Sequence, residues 1–538
     1  MVIASPALLL LSGCDLPAGF RQEVVADGFE LPTTFVVSPV EPDVQYVAEK
    51  AGVVRVVEEG AVRAAPLVDL RDRVNDVGDR GLVGMALDPG FATNGLLYLA
   101  YTYQDPVQPV AEWRQTQRVT RLVVDLEAHT ADPASEHVVL GAVTGAACWD
   151  AWETPDCLPS NLPVHTVGDL GFDGGGTLWV SVGDGGLHPH TPREVSYRAQ
   201  DLDVLAGKVL RIDPTTGLGV DDNPFYDPAD PASNRSRVYA YGFRNPFRFT
   251  FRPGSDTAYV GDVGNTRYEE IDVVRAGGNY GWPCYEGPIK QSEYRSQPFC
   301  QAMYSAAPVV APAAFYEHSD QGVSITGGVF YAGTSNYPAD HIGSYVYGDY
   351  NAFVRRQRFD AGGVAVGEPS SLVAKNVAGA PVRFGIGPDG NVWYLSIFPG
   401  ELRRIVYAGD AATTPTTTSP EQPGSAPAAA VTAPADRTRV NDGAVVQFLA
   451  TATDAEDGVL PTGSVTVDVA FVHHSSGTSH VHPYQTFPGI TSGSFVASGA
   501  HGPGHFTITA RATDSTGRTA TSPPVNVCLV GELHGPCT

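Results

Sequence analysis

Six short runs of aromatic and β-branched residues recur between positions 44 and 397 of this chain. They are VQYVAEK (44–50), LLYLAYT (96–102), TLWVSVGDGG (177–186), TAYVGDVG (257–264), SYVYGDY (344–350) and NVWYLSI (391–397). Each sits near a Gly/Asp turn. Such residues suit strands packed on a sheet, and runs this short with turn punctuation fit strands rather than helices. Long helical periodicity is absent. The spacing is irregular, roughly 50 to 85 residues, which fits radial repetition of four-stranded sheets with variable loops. The fold class expected is therefore all-β, a six-bladed β-propeller. A β-sandwich repeat array is the alternative, but sandwiches do not need the shared turn signature.

The rest of the chain does not belong to this pattern. At 538 residues it is too long for one small core. Residues 410–430 (DAATTPTTTSPEQPGSAPAAA) form a Thr/Pro/Ala linker that cannot bury a core. After it, VVQFLATATD, SVTVDVAFV and HFTITARATDSTG alternate apolar and polar residues in strand fashion. Residues 431–538 are expected to form a small immunoglobulin-like β-sandwich, and 22–409 the propeller. With 59 Gly, 43 Pro and only 17% charged residues, composition agrees with a turn-rich β protein. The net charge of −25 repels nucleic acid and anionic lipid, which excludes both as partners.

Residues 1–21 read as an export leader. An apolar run ends in Leu11-Ser12-Gly13-Cys14, which resembles a bacterial lipoprotein cleavage site, although no Lys or Arg precedes the run. Cys14 would carry the lipid, the single expected contact with a membrane. An ordinary secretory signal is the other reading. Both place the protein outside the cytoplasm, in the cell envelope or secreted. The other six cysteines fall into close pairs, Cys148/Cys157, Cys284/Cys300 and Cys528/Cys537. In an exported protein these imply three loop-stapling disulfides.

Chemistry-bearing residues concentrate in 238–287. There an Arg-Asn-Pro turn, a Gly-Asp-Val-Gly turn, paired glutamates and an Asn-Tyr-Gly-Trp-Pro loop crowd two apolar runs. Carboxylates and carbonyls can hold a hard cation, and an arginine on a fixed turn can hold an anion. A second segment, 165–186 (HTVGDLGFDGGGTLWVSVGDGG), opens on His165 and closes on an Asp-Gly-Gly turn. A hairpin would return Asp184 beside His165, and a carboxylate next to an imidazole prepares a general base. In the last domain, His480-Val481-His482 puts two imidazoles on one strand face, a candidate metal pair, or else a polar exposed strand. The acidic turn with Asp454, Glu456 and Asp457 could take Ca²⁺.

These motifs resemble the soluble pyrroloquinoline-quinone (PQQ)-dependent sugar dehydrogenases, the glucose/sorbosone dehydrogenase family. The resemblance rests on His165 with its run, Arg244-Asn245-Pro246, Gly261-Asp262-Val263-Gly264, Glu269-Glu270-Ile271 and Gly278-Asn279-Tyr280-Gly281-Trp282-Pro283. Flanking pieces are Gly78-Asp79-Arg80-Gly81-Leu82, Asp88-Pro89-Gly90-Phe91 and Gly207-Lys208-Val209-Leu210-Arg211-Ile212-Asp213-Pro214. Ser324-Ile325-Thr326-Gly327-Gly328 and Gly387-Pro388-Asp389-Gly390 complete them. It covers about 22–407.

The resemblance implies an exported oxidoreductase that oxidises an aldose or related sugar with PQQ and Ca²⁺ and passes electrons to an acceptor the sequence does not identify. His165 would be the base, Asp184 its orienting carboxylate, and Arg244 the arginine at the quinone oxygens. Asn245 and Asp79 would lie at the cofactor and sugar. Carbonyls of Gly264 and Asn265 would hold the Ca²⁺ at the quinone, and Glu270 with the Tyr280 carbonyl a structural Ca²⁺. There are departures. The family's cofactor-pairing lysine falls at Asn351. Two clamp arginines fall near Ala380 and Val382, with Arg383 one position on and facing the other side of a strand. A propeller that binds carbohydrate or a protein ligand without redox chemistry is therefore a second reading. A Ca²⁺-dependent lactonase or other hydrolase is a third.

Overall fold

The computed structural model describes residues 10–11, 16–17, 19–108, 114–186, 191–306, 308–318, 322, 324–350, 353–373, 379–409, 427–441, 444–475, 478–488, 491–497, 504–514 and 518–530. The chain divides into two compact units, 1–411 and 412–538. Among the described residues the helices are short, and no helix is long and apolar enough to cross a membrane.

Among the described residues of the first unit, the paired strands are all antiparallel. Its six main sheets follow one another along the chain, each opening on one strand: Pro32–Val37, Leu82–Leu87, Val167–Phe172, Pro246–Phe251, Ile325–Tyr331 and Pro381–Ile386. Each opening strand packs against the opening strand of the next sheet, and the sixth returns to the first. The arrangement is a closed, propeller-like ring. The second strand of each sheet is one of the six runs found in the sequence: Val44–Glu49, Leu96–Tyr103, Leu178–Val182, Ala258–Asp262, Ser344–Asp349 and Val392–Ser396. These strands are buried on both faces, which is why their apolar signal is undiluted. The sixth sheet is completed by Phe20–Ala26, from near the start of the chain, which pairs with Glu401–Tyr407 on one side and with the short strand Leu10–Leu11 on the other.

Every opening strand carries a register shift at the same place: Pro32/Thr34, Leu82/Gly84, Val167/Leu170, Pro246/Arg248, Ile325/Gly327 and Pro381/Arg383. A bulge leaves its extra residue out of the ladder, so that carbonyl needs another donor. Arg248 supplies four of them. Its guanidinium donates to Thr33 O (2.8 Å), Val83 O (2.7 Å), Gly168 O (2.6 Å) and Val382 O (3.1 Å). One buried side chain from the fourth sheet thus ties together the first, second, third and sixth. Burial holds the Arg248 pKa down, to about 10, so the group stays charged at neutral pH.

Disulfides join Cys148 to Cys157 and Cys284 to Cys300, as their spacing implies. Cys14 and Cys537 lie outside the described residues.

The second unit stacks two sheets around one core. Val446, Phe448 and Ala450 of Ala444–Asp454 meet Val467, Val469 and Phe471 of Val465–Ser475 and Phe506 and Ile508 of Gly504–Thr513. Its first described strand, Ala428–Ala433, begins within the stretch read as linker and pairs with Leu449–Thr453. The side chains of His480 and His482 lie outside the described residues.

Candidate functional site

The hairpin formed by Val167–Phe172 and Leu178–Val182 does what the sequence requires of it. His165 precedes the first strand and Asp184 follows the second, and His165 Nδ1 lies 2.7 Å from Asp184 Oδ1. The approach depends on Gly183, where a Cβ would come within 2.4 Å of the His165 carbonyl oxygen. His165 itself has φ of +47°, an uncommon conformation for a histidine and a mark of a constrained site.

The Asp184 carboxylate is fully used. Oδ1 also accepts from Gly186 N (2.9 Å), and Oδ2 accepts from Trp282 Nε1 (2.7 Å). Burial alone would raise its pKa, but His165, Arg244 and the Gly186 N–H together hold it below the usual carboxylate range. Burial first, and the Arg244 charge second, push His165 below the ordinary imidazole value, and Asp184 offsets this only in part. The result is a neutral imidazole. Its Nδ1–H donates to Asp184, which leaves Nε2 with a free lone pair.

Arg244 stands on a turn fixed by Asp262. The Asp262 carboxylate accepts the N–H of Arg244 (3.0 Å) and of Asn245 (2.6 Å), and the Arg244 carbonyl accepts from Asp184 N (2.8 Å). The base and the arginine are therefore held by one backbone link. The guanidinium lies 5.4 Å from the Trp282 ring and donates to Val263 O (3.0 Å) and, more loosely, to Asn265 Oδ1 (3.4 Å). Its Nε is buried without a partner. A buried N–H left free in an otherwise saturated site is suited to a ligand oxygen.

Gly264 and Asn265 follow directly. A Cβ on Gly264 would strike the Tyr268 carbonyl oxygen at 1.6 Å, so this turn requires glycine. Glu286 organises it by accepting from the N–H groups of Asn265, Thr266, Arg267 and Tyr268. Asn265 Nδ2 also donates to Glu293 (3.0 Å).

Six expected site residues thus meet: His165, Asp184, Arg244, Asn245, Gly264 and Asn265. Asp79 is exposed, but Asp79 N donates to Pro163 O (2.9 Å) and its charge favours the His165 imidazolium. Glu270 and Tyr280 lie behind the Arg244 turn: Glu270 pairs across the ladder with Asp262, and Tyr280 stacks on Phe243. Arg383 is elsewhere. It is ion-paired to the buried Asp169, whose carboxylate also accepts from Phe249 N. Ala380 and Val382 are buried in the core, and Asn351 lies outside the described residues. The sequence reading assigned no role to Trp282, Asp262 or Glu286. Asp262 falls within Gly261-Asp262-Val263-Gly264 and Trp282 within Gly278-Asn279-Tyr280-Gly281-Trp282-Pro283, the one signal the sequence holds for them. No group of three or more His, Cys, Asp or Glu side chains converges as a metal set among the described residues.

Residues 32–397 match the family described as Glucose / Sorbosone dehydrogenase. The chain belongs to that family. This glucose/sorbosone dehydrogenase family member is 30% identical over 323 residues to the HIPL2 protein of Arabidopsis thaliana, covering 54% of this chain and 45% of that one. It is 27% identical over 287 residues to quinoprotein glucose dehydrogenase B of Acinetobacter calcoaceticus, covering 51% and 52%. The chain thus spans about half the length of these curated relatives. Among solved structures, the PQQ-bound aldose sugar dehydrogenase of Streptomyces coelicolor shares the fold with a TM-score of 0.52 at 18% identity, over 73% of this chain and 100% of that one.

Proposed function

We propose that this protein is an exported dehydrogenase that oxidises an aldose or related sugar at a hydroxyl-bearing carbon, using PQQ and Ca²⁺. The observation that carries the reading is the His165–Asp184 pair at 2.7 Å beside a buried Arg244 with an unused Nε. When bound, PQQ with Ca²⁺ supplies the acceptor for the hydride that leaves the sugar carbon. His165 Nε2 takes the hydroxyl proton, Asp184 and Trp282 hold the ring in place, and Arg244 faces negative charge on the ligand. The fold assigned to the first unit is a six-bladed propeller, and to the second an immunoglobulin-like sandwich. Export rests on the leader sequence and on the two disulfides.

The residues fit PQQ on the His165–Arg244 side. On the other side Arg383 is committed to Asp169, and that observation favours the second reading, a propeller that binds carbohydrate or a protein ligand without redox chemistry. One titration separates the two. Apo-protein with Ca²⁺ is mixed with PQQ and a panel of aldoses, and dye reduction is followed. Saturable binding at or below about 50 µM is expected. Absence of binding in that range would leave the binding-module reading.

A pH profile tests the base. His165 must be neutral to act, and its folded pKa is lowered, so activity should fall as pH drops through a value below 6.5. An acid limb above 6.5 would show that another group takes the proton.

A further inference from the structure

Behind the Arg244 turn three carboxylates share one face of the fourth sheet. Asp262 and Glu270 are cross-strand partners, and Asp272 follows Glu270 by two residues, so all three point the same way. None is exposed beyond 9%. The donors around them are spent. Asp262 takes the N–H of Arg244 and Asn245, and Glu270 takes Gly287 N. The Tyr280 hydroxyl donates to Val273 O (2.6 Å) and accepts from Arg275 N (2.9 Å). Asp272 receives nothing: it is completely buried, and both of its carboxylate oxygens lack a hydrogen-bond partner. A buried carboxylate with neither donor nor counter-charge has to be neutralised, by a proton or by a cation, and its two free oxygens suit a cation.

We propose that Asp272 is a second carboxylate ligand, alongside Glu270, for a calcium-type divalent cation seated on the face of the fourth sheet that these residues share with Asp262. The proposal rests on reading Glu270 and the Tyr280 carbonyl as cation ligands and adds to them a residue that reading did not include. Ca²⁺ takes six to eight oxygens, and two carboxylates, a carbonyl and water supply such a set. Two carboxylates bring two negative charges, which neutralise the ion where one would not. Asp262, opposite Glu270 on the ladder, connects the cation to the turn that carries Arg244.

The test uses the full chain stripped with chelator, without quinone. Calorimetric titration with CaCl₂ and thermal melts are recorded for wild type, Asp272→Asn and Glu270→Gln. Wild type should gain roughly 5 °C in Tm at calcium about a hundredfold above its Kd. Asp272→Asn should bind about tenfold more weakly or worse and lose most of that gain. An unchanged affinity in Asp272→Asn, with the gain lost in Glu270→Gln, overturns the role of Asp272. A wild-type chain that gains nothing from calcium overturns the site. Europium-loaded wild type gives a measurement that needs no variant: its ⁷F₀→⁵D₀ excitation band reports the number of anionic ligands, and a single carboxylate there also overturns the proposal. No quinone enters these measurements, so their failure is distinct from failure of the PQQ titration.

Discussion

If the proposed activity holds, replacing His165 by Ala should lower turnover with PQQ and an aldose by about 10²–10⁴-fold, the usual contribution of a positioned general base. The melting temperature and PQQ affinity should stay close to wild type, because the imidazole's one hydrogen bond is to Asp184, which keeps its bonds from Gly186 N and Trp282 Nε1. Asp184→Asn is the companion experiment. It should lose on the order of 10³-fold, since an amide can hold the ring in the wrong tautomer. It should also move the acid limb to lower pH, because the carboxylate is what raises His165 against burial and Arg244. Turnover of His165→Ala within threefold of wild type, on the order of experimental scatter, would mean that the proton leaves by another route.

The second large effect is on stability. Arg248→Met keeps most of the side-chain volume and removes the fork that serves four bulge carbonyls. Each buried carbonyl left alone costs about 1–3 kcal/mol, so the loss should reach about 4 kcal/mol or more. For a domain whose total stability is about 5–15 kcal/mol, this leaves little margin. A drop of roughly 10 °C in Tm, or failure to accumulate as soluble protein, is expected. Arg248→Lys should recover only part, since an ammonium cannot reproduce a planar fork. A melt of Arg248→Met within about 2 °C of wild type would remove Arg248 from its structural role.

Arg248 also shows where sequence reading stops. In Pro246–Phe251 (PFRFTF) the alternation of Phe with Arg and Thr suggests an ordinary strand with Arg248 facing water. The structure turns it into the ring, because the bulged strands line that interior with unpaired carbonyls. A polar interior assembled from five strands far apart in sequence has no periodic signature in any one of them. The second strands were legible for the opposite reason: apolar on both faces, they show through at every repeat. The site divides in the same way. His165 and Asp184 are 19 residues apart on one hairpin, so local geometry was enough to bring them together. Trp282, which completes the Asp184 hydrogen bonds, stands 98 residues from it in a different sheet's loop. Asp272 was hidden by its setting, since an acidic residue in alternation with apolar ones ordinarily faces solvent.

The strand Phe20–Ala26 has a consequence for how the molecule is made. Its partner strand lies near the far end of the first unit, and Glu23 and Arg404, which form an ion pair at 2.7 Å, are 381 residues apart. As the chain is made, this strand has only the two-residue Leu10–Leu11 beside it, and its main partner, Glu401–Tyr407, follows almost the whole unit later. Five sheets can form from neighbouring segments as they appear, but the sixth cannot. The entropic cost of so long a closure grows only logarithmically, whereas its rate suffers from the distance. The clasp between the two ends is therefore expected to be the last event of assembly. Until it shuts, the edge of Glu401–Tyr407 is an open template for a stray strand, and this is the interval in which the folding chain is most open to mispairing.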